Sequence, residues 1–135
     1  MQSKAVLTTT EVSRILAAAR NEALQHHWAV AIAIVDDGGH PLALERLDQA
    51  APISAYIAIE KARTAALGRR ESKAYEDMIN GGRTAFLSAP LLSGTLEGGV
   101  PIVFDGQVIG AVGVSGVKAP EDAQVAKAGI AALQA

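Results

Sequence analysis

The sequence predicts an α+β domain in which an antiparallel sheet, built from two hairpins, carries helices on both faces. Three observations lead there. Apolar residues recur at helical spacing near both ends of the chain and in its middle. Two tight turn signals, Asp37-Gly38-Gly39 and Asp105-Gly106, each separate a pair of strand-like runs. The run Gln107–Ser115 is apolar on both of its faces, as expected of a central strand covered on both sides. With 135 residues the chain is long enough for one domain, spanning 1–135, with a substantial core.

The elements follow in order. Thr8 and Glu11 form a capping-box pair that opens a helix over Thr8–His27, with Val12, Ile15, Leu16, Ala19 and Ala23 as its apolar stripe. Ala29–Asp36 reads as a strand and Leu42–Leu47 as its hairpin partner. Pro52 opens a second helix at a position where its missing N–H costs little. That helix carries Ile53, Ile57, Lys61 and Thr64 on one face and ends near Gly68. A short helix over Ser72–Asn80 stops at Gly81-Gly82. Residues 83–96 read as a loop with a short strand near its end. Val100–Phe104 and Gln107–Ser115 form the second hairpin. Pro120, Glu121 and Asp122 open the last helix, with the acids placed where the helix dipole favours them.

Side chains alternate faces along a strand. In Gln107–Ser115 one face carries Val108, Gly110, Val112 and Val114, and the other Ile109, Ala111, Gly113 and Ser115. The first strand shows a similar asymmetry, with Val30, Ile32 and Ile34 against Ala29, Ala31 and Ala33. Strands so matched suit neighbouring places in one sheet. Their smooth side needs a partner of small surface, which the first helix (Ala19, Ala23) and the last helix (Ala126, Gly129) are expected to supply. The glycines of GQVIGAVGVSG are then close-packing positions rather than a ligand cradle.

Composition narrows the function classes. The net charge of −2 comes with no basic tract, which argues against nucleic-acid binding. The absence of cysteine excludes disulfides, thiolate metal sites and a cysteine nucleophile. No apolar run approaches ~18 residues, so no membrane span is expected, and MQSKAVLTTTE lacks an apolar leader core, so the expected location is cytoplasmic. No phosphate loop, HExxH or GxSxG motif occurs. Gly110, Gly113 and Gly116 lie along a strand rather than opening a helix, so they are not a dinucleotide fingerprint.

Individual residues offer candidate chemistry. His26 and His27 end the first helix beside Trp28. A neutral imidazole there can ligate a metal or a haem iron, but capping the last carbonyls is the favoured role. His40 sits at the tip of the first hairpin and is expected to be exposed. Asp36 and Asp37 are expected to serve the turn, and Glu45, Arg46 and Asp48 to form a solvated strand end. Lys61 falls on an apolar stripe and is expected to snorkel to water. Tyr56 and Tyr75 read as amphipathic packing residues. Ser115 has no legible histidine–carboxylate partners, so no catalytic residue is assigned and no metal site is expected. Asp36, Arg46, Lys61 and Arg63 form the one polar set that would suit an enzyme acting on a small metabolic acid.

Four blocks, IAIVDDGGHPLALERLD, IAIEKARTA, GGVPIVFDGQVIGAVGVSG and EDAQVAKAG, resemble in order the GlcG/HbpS-like family, which includes the C-terminal domain of PduO-type proteins. Leu47 stands where the RMD-like block of that family usually has methionine. The resemblance implies a profilin-like fold with a five-stranded antiparallel sheet, assembly as a homo-oligomer and, as in some members, haem binding. The expected protein is a small cytoplasmic haem- or tetrapyrrole-binding accessory protein, with His26, His27, His40 and Tyr56 as candidate haem contacts. The alternatives are a small-molecule metabolic enzyme and a regulatory or assembly module without a ligand. Small helix faces and few aromatics also leave apolar surface for contacts between subunits.

Overall fold

The two strands of matching asymmetry, Ala31–Asp36 (β1) and Gln107–Ser115 (β4), lie side by side and antiparallel, with Ala33 opposite Gly113 and Ile34 opposite Val112. The structure is a computed structural model and describes residues 1–134. Pro41–Arg46 (β2) pairs with β1 through the first hairpin, and Gly99–Phe104 (β3) pairs with β4 through the second. The sheet order is β2-β1-β4-β3. The helices are Thr9–Gln25 (α1), Ile53–Gly68 (α2), Ser72–Asn80 (α3) and Ala119–Ala131 (α4).

The sheet among the described residues therefore has four strands, and the expectation of five is corrected. The short strand expected within residues 83–96 does not form. A 3-10 turn occupies Thr84–Ser88, and the chain beyond it packs against α2 instead of a sheet edge. Gly94 lies so close to the helix that an added Cβ would sit 2.3 Å from the Glu60 carbonyl carbon. Its N–H donates to Thr64 Oγ1 at 3.1 Å, while Ser72 Oγ donates to Leu96 O at 2.5 Å. Backbone groups that a ladder would have used are taken by side chains of α2 and α3.

The two faces of the sheet take different helices. Ile32, Ile34, Val112 and Val114 meet α1 and α4 through Ile15, Ala19, Ala23, Val125 and Ala126. Full burial of each large aliphatic side chain there contributes about 1.5–3 kcal/mol. Ala31, Ala33 and Ala111 meet α2 through Ala58, Ala62 and Ala65. The partner of the smooth face is thus α2, not α1 or α4. The reason is side-chain volume. Ala58, Ala62 and Ala65 let the α2 backbone descend onto the sheet, whereas Val12, Ile15 and Val125 are the knobs that fill the opposite face. A Cβ on Gly113 would lie 2.1 Å from Ala58 O and 2.5 Å from Ala62 N. No described helix is long and apolar enough to cross a membrane.

Candidate ligand groove at the end of helix α1

Helix α1 opens as its capping pair predicts, with the Thr8 N–H donating to a Glu11 carboxylate oxygen at 3.0 Å. It ends in a Schellman motif. The Trp28 N–H donates to Ala23 O at 2.9 Å and the His27 N–H to Leu24 O at 3.2 Å. His27 holds the left-handed position of that motif, at φ +58, where glycine is favoured. The capping expected of the two histidine side chains is therefore done by backbone amides.

The two imidazoles have separate fates. His26 stacks on Trp28 with ring centroids 4.3 Å apart, and its Nε2 lies 3.3 Å from Glu22 Oε2 and 3.4 Å from Gln124 Nε2. His27 is exposed and lines a groove of about 510 Å³ with Leu24, Trp28, Arg46, Leu47 and Asp48. Among the described residues its ring has no hydrogen-bond or ion-pair partner. Trp28 and Leu47 pack partly against the core and give the groove apolar walls. The Leu47 N–H donates to Val30 O at 2.9 Å, which fixes the end of β2 against the segment leaving α1. Neither the hollow beside Lys4 and Gln107 nor the apolar one between Leu7, Leu16 and Leu42 contains a histidine.

One side of the groove is set by an ion pair that the sequence did not suggest. Arg20 Nε and Nη2 donate to Glu45 Oε1 and Oε2 at 2.5 and 2.9 Å. The bond from Arg20 holds the Glu45 carboxyl below the usual carboxylate range, against the opposing effect of burial. Arg46, next in the chain, is exposed and has no ion-pair partner among the described residues.

His40 and Tyr56 lie elsewhere. His40 is at the far end of β1, beyond a strand of six residues that spans about 20 Å. Its side chain is 79% exposed, and Nδ1 lies 3.2 Å from Asp36 Oδ1. That oxygen also accepts from the Gly38 and His40 amides at 2.9 Å, so Asp36 serves the turn as expected. Tyr56 is 75% exposed on α2. Tyr75 packs against Phe86 with ring centroids 4.8 Å apart.

Lys61 does not snorkel. Its side chain is 4% exposed, and Nζ donates to Val114 O and to Asp122 Oδ2, each at 3.0 Å. The expected stripe divides along α2: Ile53 is exposed, while Lys61 and Thr64 are buried, and Gly98 leaves the space that the ammonium fills. Asp122 Oδ1 accepts from the Val117 N–H at 3.2 Å. Burial pushes the Asp122 carboxyl above its ordinary range, against the pull of Lys61. The polar set Asp36, Arg46, Lys61 and Arg63 is therefore dispersed. Asp36 and Arg46 stand at opposite ends of the first hairpin, Lys61 is enclosed, and Arg63 pairs with Glu60 at 2.6 Å. Among the described residues no group of three histidine, aspartate or glutamate side chains is placed to hold a metal ion.

A small α+β domain with one sheet between unlike helical layers, and an open groove presenting an imidazole, defines the class. The chain belongs to the HbpS-like family, whose model, haem degrading protein HbpS-like, matches residues 7–131. It is 63% identical over 115 residues to Protein GlcG of Escherichia coli strain K12, covering 85% of each chain. The crystal structure of HbpS matches with a TM-score of 0.88 at 28% identity, over 98% of this chain and 94% of that one. The crystal structure of a PduOC:haem complex matches with a TM-score of 0.86 at 27% identity, over 95% of each chain.

Proposed function

We propose that this protein binds haem or a related tetrapyrrole in the groove at the end of α1, with His27 as the axial ligand of the iron, and acts as an accessory haem-handling protein. The observation that carries this is the placement of His27. It occupies a backbone position that favours glycine, and its imidazole lines the groove without a competing partner. A neutral imidazole is a proper donor for haem iron. Trp28, Leu24 and Leu47 offer the apolar and aromatic surface that a macrocycle stacks on. The similarity to a PduOC:haem complex supports the same ligand class. Bound haem would supply the redox-active iron, and this chain would supply orientation and shielding. The dispersal of Asp36, Arg46, Lys61 and Arg63 removes the motive for an enzyme acting on a small acid.

The same proposal has the protein working in the cytoplasm as a homo-oligomer. Leu44, Ile53 and Tyr56 are exposed on β2 and α2 and provide apolar surface for a second copy. Light scattering at micromolar concentration should give a multiple of 13.9 kDa, and a monomer mass would refute assembly.

Haemin titration of the whole protein tests the ligand. The expected result is a saturable, shifted Soret band that His27→Ala alters and that His26→Ala and His40→Ala retain. A band that His27→Ala leaves unchanged would overturn the axial assignment.

A further inference from the structure

We infer that Arg46 is a carboxylate anchor within this groove, so that the bound tetrapyrrole is an acidic one recognised through a propionate side chain, an inference that rests on the haem reading of the groove. The strand register places Arg46 opposite Ala31, at the same end of the sheet as His27 and Trp28, and Arg46 lines the groove with them. Among the described residues its guanidinium has no hydrogen-bond or ion-pair partner. The neighbouring carboxylate of Glu45 is taken up by both Arg20 contacts, and Asp48, on the same rim, forms no ion pair with Arg46. The Leu47 bond to Val30 O holds the backbone at Arg46 fixed relative to the imidazole side of the groove. An exposed, unpaired guanidinium beside an apolar wall suits a ligand that is apolar across its body and anionic at its edge, because the planar fork accepts a carboxylate through two parallel hydrogen bonds.

Haemin and its dimethyl ester, which lacks free carboxylates, separate the two contributions. Each is titrated against the wild-type protein, Arg46→Ala and Arg46→Lys, with the Soret shift reporting iron coordination throughout. The ester is expected to bind the wild type roughly tenfold more weakly than haemin, the effect of losing one charge-assisted contact. Arg46→Ala should bring haemin to the level of the ester and leave the ester unchanged, and Arg46→Lys should recover part of the difference. Arg46 is exposed, so the variants should keep the wild-type far-ultraviolet spectrum. Equal affinity of the wild type for the two haems, or an Arg46→Ala protein that binds haemin as tightly as wild type, overturns the anchor and leaves the groove intact. A wild-type protein without any saturable Soret shift overturns the groove and the anchor together.

Discussion

Lys61 and Asp122 meet at 3.0 Å inside the molecule although the helices that carry them pack on opposite faces of the sheet. Both side chains are almost wholly buried, and the carbonyl of Val114 at the end of β4 completes the contact. The pair thus joins the alanine layer to the aliphatic layer where β4 ends.

Removing one partner leaves a buried charge unpaired. Lys61→Met should cost about 3–5 kcal/mol, and Lys61→Met with Asp122→Leu should recover much of it, because an apolar pair of similar volume needs no compensation. Urea denaturation of the two proteins measures this, and a single variant that loses under about 1 kcal/mol would show that the pair is not closed. The pH dependence has a definite sign. A carboxyl whose folded value is raised favours the folded state below its unfolded value, and that contribution is lost as pH rises. Without Lys61 to oppose it, the burial effect grows, so Lys61→Met should be less destabilising near about pH 4 than at neutral pH.

His27→Gly should raise stability by about 0.5–1 kcal/mol, since glycine takes the left-handed position without a side-chain penalty. The same protein should lose the shifted Soret band. Thermal melting and haemin titration on one sample test both. A loss of stability would mean that the imidazole makes a contact that matters to folding.

Gly113→Ala should destabilise by roughly 3 kcal/mol, at the upper end of overpacking costs, because the atoms in the way are the backbone of Ala58 and Ala62 rather than a side chain that can turn aside. The loss should be equal with and without haemin, because Gly113 faces α2 and not the groove. Calorimetry in both states checks it, and an unchanged apo melting temperature would place α2 further from the sheet.

Glu45→Gln should flatten the acid limb of the stability curve. The folded carboxyl is held below its unfolded value, so its contribution is present above that value and is lost as pH falls through the folded one. Arg20 and Glu45 are 35% and 32% exposed, so solvent screening keeps the effect within about 1 kcal/mol. Denaturation midpoints from neutral pH down to about pH 3 should converge for the two proteins at the acid end.

The hairpins, the helices and the pairing of β1 with β4 were legible because alternation and turn residues are local signals. The layer assignment was not, since Ala19, Ala23, Ala58 and Ala62 are all small and only the volume of their neighbours decides which helix reaches the smooth face. Lys61 misled for a similar reason. Its partner lies 61 positions away, on a helix whose first-turn acid already had a sufficient local explanation in the dipole. The absence of a fifth strand among the described residues depended on Gly94 and Ser72, whose contacts with other elements have no sequence pattern. At the groove, His27 and Trp28 stood out as residues, but the left-handed backbone that presents the imidazole shows in sequence only as a helix that ends without its usual glycine.

Trp28 is the only tryptophan in the chain, and it stands between the stacked ring of His26 and the opening beside His27. Its emission is therefore a local signal, with no second fluorophore of its kind to dilute it. A haem within a few ångströms would quench it by energy transfer. A colourless porphyrin precursor or fragment that settled on the indole would still shift its spectrum or lifetime. The molecule thus carries its own optical gauge of occupancy, one that works for ligands without an iron atom.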